Sequence, residues 1–290
     1  MQKRFAPLFL SMFILAGAQI MTAQSQALGR PVAIDKLPSG SLYALDAQGA
    51  VHAVDFPGGK PTVTGSFSFP SGWVASDIVS TQKDGQDILF IAYNIGLTGQ
   101  VGMFSTTGTQ LKWWNFPSGV AGITYDSANS TLYIASGRNS EIFAINLSKD
   151  NGPNFIASTP GSQRLGPLLY DSKENALLVG DLVMGTIYKL DLTKRKSTVL
   201  FGGLKSPLAL KLSADGASLF VADTGARKIV RFSTTHANSA PIPFAQISQF
   251  HSPSGLAWVG DRLAVSDDEA RKLFIFSSSG SFEDTLPAAH

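Results

Sequence analysis

Leu219-Phe-Val-Ala-Asp223-Thr-Gly-Ala-Arg-Lys-Ile229-Val-Arg-Phe232 reads as an apolar run, a polar turn opened by Asp, and a second apolar run. Such a pattern predicts an antiparallel hairpin. Its turn position recurs at Asp46, Tyr93, Ser136, Asp181, Asp223 and Asp267, in steps of 47, 43, 45, 42 and 44 residues. A short β-rich run precedes each turn: Leu42-Tyr-Ala-Leu, Leu89-Phe-Ile-Ala, Leu132-Tyr-Ile-Ala, Leu177-Leu-Val-Gly, Leu219-Phe-Val-Ala and Leu263-Ala-Val-Ser. Another follows five to eight residues later, as in Ile142-Phe-Ala-Ile or Leu273-Phe-Ile-Phe.

Each hairpin has an earlier run introduced by Pro or Gly, such as Phe116-Pro-Ser-Gly-Val, Leu165-Gly-Pro-Leu and Ser252-Pro-Ser-Gly-Leu. A weaker fourth run follows, such as Ser197-Thr-Val-Leu-Phe. Four short strands in a unit of about 44 residues mark a propeller blade, and such units must pack face to face to bury their apolar surfaces. The expected fold is all-β: a six-bladed β-propeller of four-stranded antiparallel blades, preceded by a signal peptide. The strands are named A to D from the axis outward. The blades are expected over 30–69, 70–116, 117–160, 161–204, 205–250 and 251–290. A steady period disfavours a β-sandwich. Residues 28–30 and Ser281-Phe-Glu-Asp-Thr-Leu286 compete for the outer strand of the last blade. If the tail supplies it, residues 28–30 are expected to be dispensable.

The units resemble NHL repeats. The resemblance rests on the Pro-x-Gly lead-in and on the Leu219–Phe232 type of core. It spans most of the chain after residue 30, and is weakest in units one and two. It implies that the D-to-A and B-to-C loops share one face around a central channel.

Residues 1–27 read as a secretory leader, with Lys3 and Arg4 before the uncharged apolar stretch from Phe5 to Ala16. Ala16-Gly-Ala18 and Ser25-Gln-Ala27 both fit cleavage, after residue 18 or 27. The apolar stretch is short for a membrane span, so no membrane insertion is expected after cleavage. The product is expected to be periplasmic or secreted. Removing the leader leaves 21 basic and 21 acidic residues. That balance disfavours nucleic acid, whose phosphates need a basic stripe. Lys194-Arg195-Lys196 reads as a solvated turn. The absence of cysteine excludes thiolate metal sites and cysteine nucleophiles.

Two columns of residues could carry chemistry. The turn column places Asp181, Asp223 and Asp267 at the rim of the channel mouth, where carboxylates could hold a divalent cation. The competing reading is structural, because an Asp that opens a turn accepts backbone N–H groups nearby. Strand A aligns Asp77 with Gly122, Pro167, Ala209 and Gly255, small uncharged residues that would leave room for a guest. A one-residue slip in unit two would turn Asp77 away from the channel. Trp73, Arg164 and His251 lie on loops nearby, so the expected ligand mouth is Trp73, Asp77, Arg164 and His251. Of Trp113 and Trp114, one is expected between blades and the other on the rim.

The four histidines are scattered: His52, His236, His251 and His290. The histidine-ligated zinc of amidating-lyase propellers is therefore not expected. The lead-in glutamate of gluconolactonase-type propellers has Arg30-Pro31-Val32 in its place. The sequence points to a monomeric binding or scaffold module for a protein, peptide or small molecule. No cofactor beyond a divalent cation is expected. A metal-assisted lactonase or lyase, and an assembly role in an envelope complex, are the alternatives.

Overall fold

A computed structural model of the protein describes residues 19–20, 28–69, 72–149, 151–236 and 239–286. The expected leader and both cleavage positions lie outside the described residues, apart from Gln19–Ile20. Six antiparallel sheets form a closed ring in which each inner strand touches the inner strands of both neighbours. The chain is a six-bladed β-propeller.

Blade 1 consists of Pro31–Lys36, Leu42–Asp46, Ala50–Asp55 and Thr62–Ser68. Blade 2 is Val74–Lys83, Gln86–Ile95, Thr98–Ser105 and Gln110–Phe116, and blade 3 is Val120–Asp126, Thr131–Ser136, Glu141–Asn146 and Asn154–Ser158. Blade 4 is Leu165–Asp171, Ala176–Asp181, Thr186–Asp191 and Lys196–Phe201. Blade 5 is Pro207–Leu212, Ser218–Asp223, Lys228–Ser233 and Ile242–Ala245, and blade 6 is Pro253–Val259, Arg262–Asp267, Lys272–Phe276 and Phe282–Leu286. Strands pair in sequence order within every blade. Gln19–Ile20 runs antiparallel outside blade 1, opposite Ser68 and Phe67.

The burial pattern explains the repeat. Strand B lies between two other strands and between two blades, so both its faces are apolar. Its opening leucines, Leu42, Leu89, Leu132, Leu177, Leu219 and Leu263, are all 0% exposed. Truncating a buried leucine to alanine costs about 2–5 kcal/mol, which accounts for one residue type at this position in every unit. Outside blade 1, whose strand D pairs with Gln19–Ile20, strand D has one sheet edge toward solvent and carries polar residues, as in Lys196–Phe201.

Phe282–Leu286 supplies the outer strand of blade 6. The tail therefore builds the strand, yet residues 28–30 are not idle. Leu28 is fully buried among Ile34, Leu42, Ala257, Leu273 and Ile275, at the seam of blades 6 and 1. The Arg30 guanidinium donates to both oxygens of Asp268 at 2.8 and 2.9 Å. The tail thus builds the outer strand, while Leu28 and Arg30 add contacts at the seam that argue against their being dispensable.

Candidate functional site

The turn column is built into the fold. Asp181, Asp223 and Asp267, expected on the rim, are instead buried, at 0%, 2% and 0% exposure. Each carboxylate ties its B-to-C turn to the loop entering its own blade. Asp267 accepts the N–H groups of His251, Ser252 and Ala270 at 2.8, 2.9 and 2.9 Å. Asp181 accepts those of Gln163, Val183 and Met184 at 2.6, 2.8 and 2.9 Å. Asp223 accepts Lys205 and Ser206 at 2.9 and 3.0 Å. Asp46 accepts the Arg30 and Gln48 N–H groups in the same way. Backbone donors thus reach both oxygens of Asp46, Asp181 and Asp267 and one oxygen of Asp223. Among the described residues, no three or more His, Cys, Asp or Glu side chains gather as a metal centre.

Strand A has a repeated irregularity. Its first residue, or in blade 2 its second, pairs with the turn position, and a bulge follows in all six blades, as between Ala75 and Asp77 or between Val120 and Gly122. Asp77 sits opposite Ala92, as Gly122 sits opposite Ala135 and Ala209 opposite Ala222. Unit two has not slipped. The column, however, faces the next blade. A Cβ on Gly122 would lie 2.5 Å from the Gly166 carbonyl oxygen, and one on Gly255 would lie 2.8 Å from the Ile34 nitrogen. Small residues here let neighbouring inner strands approach one another, so the room they leave is filled by backbone.

Asp77 answers the same geometry with hydrogen bonds. One oxygen accepts the N–H of Ile123 in blade 3 at 2.8 Å, and the other accepts the N–H of Ile78 at 2.9 Å. An inner strand has a free edge toward the axis, and its N–H groups need partners. Three blades supply such partners in succession. Asp35 accepts from the Ser80 N–H at 2.8 Å, Asp77 from Ile123, and the Thr124 hydroxyl from the Tyr170 N–H at 3.0 Å.

An opening remains beside these groups. The central channel is a cavity of about 310 Å³ walled by the inner strands of all six blades. Asp77, Asp35, Ser80, Thr124 and Lys211 line it. Lys211 of blade 5 reaches past blade 6 to Asp35 at 2.8 Å. Asp77 borders the channel on one side and is enclosed by protein on the others. Burial, and secondarily the charge of Asp35, push its carboxyl up to about 7 against the pull of the Ile123 and Ile78 N–H groups and Lys211. The Ser76 hydroxyl, also on the channel wall, is buried without a partner. At the end where the A-to-B turns emerge, the lining includes Lys36, Pro38 and Ser127.

Of the four residues expected at one mouth, only Asp77 lines this channel. Trp73 stacks on Tyr93, with centroids 4.0 Å apart and rings 5° from parallel, and on Phe69 at 5.7 Å. It joins the core between blades 1 and 2. Arg164 and His251 are exposed on the D-to-A loops. Trp114 packs between blades at 7% exposure and Trp113 stands out at 55% on the outer strand. Asp35 and Lys211 were not singled out from sequence, although each is a charge inside an apolar run, in Val32-Ala-Ile-Asp35 and Leu208-Ala-Leu-Lys211. Their partnership spans 176 residues and has no local signal.

No family model matches the sequence, and no curated protein does. Solved structures do match. A chain from a nidogen/laminin complex is similar at 13% identity and a TM-score of 0.70, over 86% of this chain and 93% of that one. A streptogramin B lyase is similar at 15% identity and 0.65, over 94% and 87%. A catalytically inactive variant of virginiamycin B lyase from Staphylococcus aureus, with quinupristin, is similar at 17% identity and 0.64, over 93% and 88%. The likeness is one of fold. It is the fold of six-bladed propellers, hosting a binding complex in one case and a lyase in the others.

Proposed function

We propose that this protein is an exported, NHL-like propeller that serves as a monomeric binding or scaffold module, holding a protein or peptide on its loop face. One observation carries the reading. Large apolar side chains stand exposed where the B-to-C turns and D-to-A loops emerge. They are Val74, Ile95 and Leu97 on blade 2, Val183 and Met184 on blade 4, and Leu208 on blade 5, at 36–65% exposure. Large apolar side chains exposed on one face of the ring suit an interaction surface. The turn carboxylates below are held by backbone donors, so they support the loops and leave contact to the exposed side chains. The balanced charge of the chain after the leader suits a protein or peptide better than nucleic acid. The fold likeness to a chain from a nidogen/laminin complex supports a binding role by analogy alone.

The test is co-purification from the exported fraction with Val74, Leu97 and Met184 changed together to glutamate. A control carries Leu111→Glu and Phe155→Glu on the outer strands. Loss of the partner from the loop-face variant alone supports the reading. Loss from the outer-strand variant alone sinks it.

The channel favours a second reading, a metal-assisted lactonase or lyase that uses Asp77. The streptogramin B lyase likeness supports it at the level of fold. Turnover of a lactone or cyclic depsipeptide that needs a divalent cation and is lost in Asp77→Asn would establish this reading in place of the first.

A further inference from the structure

A second cavity, of about 190 Å³, lies between blades 3 and 4. Its walls include Tyr133, Ala144, Ile156, Ala157 and Leu190, and Arg195 stands at its edge. The repeat explains the hollow. Ala157 pairs with Ile142 at the position where Phe67 pairs with Val51, Trp114 with Val101 and Phe201 with Ile187. In three other blades a large aromatic side chain fills this place. Blade 5 also has an alanine, Ala245, but there Phe244 packs onto Phe220 with centroids 4.8 Å apart. Ala144 pairs with Tyr133, as Ala53 pairs with Tyr43 in blade 1, whereas Met103 pairs with Phe90 and Ile275 with Ala264. Blade 1 has Phe67 beside its alanine, whereas blade 3 combines alanine at both positions, which leaves an apolar slot with a tyrosine ring on one wall.

The edge of the slot carries an exposed cation. Arg195 belongs to the C-to-D turn of blade 4. Asp191 shapes that turn by accepting the Thr193 and Lys194 N–H groups at 2.9 and 2.8 Å. Arg195 has φ 52° there. Lys194 pairs with Asp191 at 3.2 Å, whereas Arg195 has no ion-pair or hydrogen-bond partner among the described residues. A guanidinium free beside an apolar slot matches a carboxylate bidentately.

We propose that this cleft between blades 3 and 4 is a binding site for a small amphipathic monocarboxylate, its ring or short chain in the slot and its carboxylate on Arg195. It lies at the A-to-B and C-to-D turns, on the side of the ring away from the loop face, so it does not depend on the partner surface proposed there.

Phenylacetate is the probe, and its neutral counterpart 2-phenylethanol the comparison, with binding followed by ligand-observed NMR on the full mature chain. Saturable binding is expected for phenylacetate, with a Kd on the order of 1 mM or below for so small a ligand. Arg195→Gln should weaken it about tenfold or more. Ala157→Phe should abolish it by filling the slot. If that variant folds poorly, Ala144→Met narrows the same slot from the neighbouring strand. Equal binding of the alcohol would overturn the carboxylate chemistry. Unchanged binding in the filled variants, or no saturable binding by the wild-type chain, would overturn the site.

Discussion

Replacing Asp77 by asparagine removes a charge that the fold tolerates only in part. The channel side of this residue is accessible, but protein encloses the rest, and burial raises its carboxyl from 3.8 to about 7. Between those values the folded protein holds a proton that the unfolded chain has released. Folding therefore takes up a proton in that window, and wild-type stability falls as pH rises from about 4 to about 7 and then levels off. At ~1.4 kcal/mol for each pH unit, the ceiling is about 4 kcal/mol. Contact with channel water lowers the expected figure to roughly 2–4 kcal/mol. Asparagine cannot ionise, so it does not carry this dependence. It also loses one of the two N–H bonds that Asp77 accepts, from Ile78 or Ile123, because its amide nitrogen cannot accept. That loss amounts to about 1 kcal/mol above pH 7, where both oxygens accept, and is smaller below it, where one oxygen already carries the proton. The variant should therefore be slightly less stable than wild type near pH 4.5 and more stable near pH 8. Urea unfolding followed by tryptophan fluorescence at both conditions gives the comparison. A stability difference that stays flat, or that turns further against the variant as pH rises, would refute the placement of Asp77 as an enclosed carboxylate.

Two further outcomes follow from the packing. Asp267→Ala strands three backbone N–H groups at a fully buried turn, and should cost roughly 2–4 kcal/mol; an unchanged melting temperature would show that water replaces the carboxylate. Leu28→Ala should cost about 2–5 kcal/mol, as a cavity at the seam of blades 6 and 1, and a neutral result would mean that the tail alone closes the ring.

The sequence determined the architecture because a propeller repeats a local rule. Apolar runs of strand length, a turn residue every 42–47 positions and a Pro or Gly before each inner strand are visible without any tertiary contact. The structural role of the turn aspartates was legible for the same reason, since several of their donors lie only two or three residues away. The register of Asp77 was legible as well, from alignment with Gly122 and Gly255. What Asp77 faces was not. The bulge turns that column toward the neighbouring inner strand, and the partner there, Ile123, belongs to the next blade. Trp73 shows the same limit: a tryptophan on a loop looks available for a ligand until Tyr93 is brought beneath it. The pairing of Asp35 with Lys211 and the hollow made by Ala144 and Ala157 exist only once the ring closes. Strand formation depends on neighbours in the chain, whereas the channel and the cleft depend on which blade stands opposite, and ring packing alone decides that.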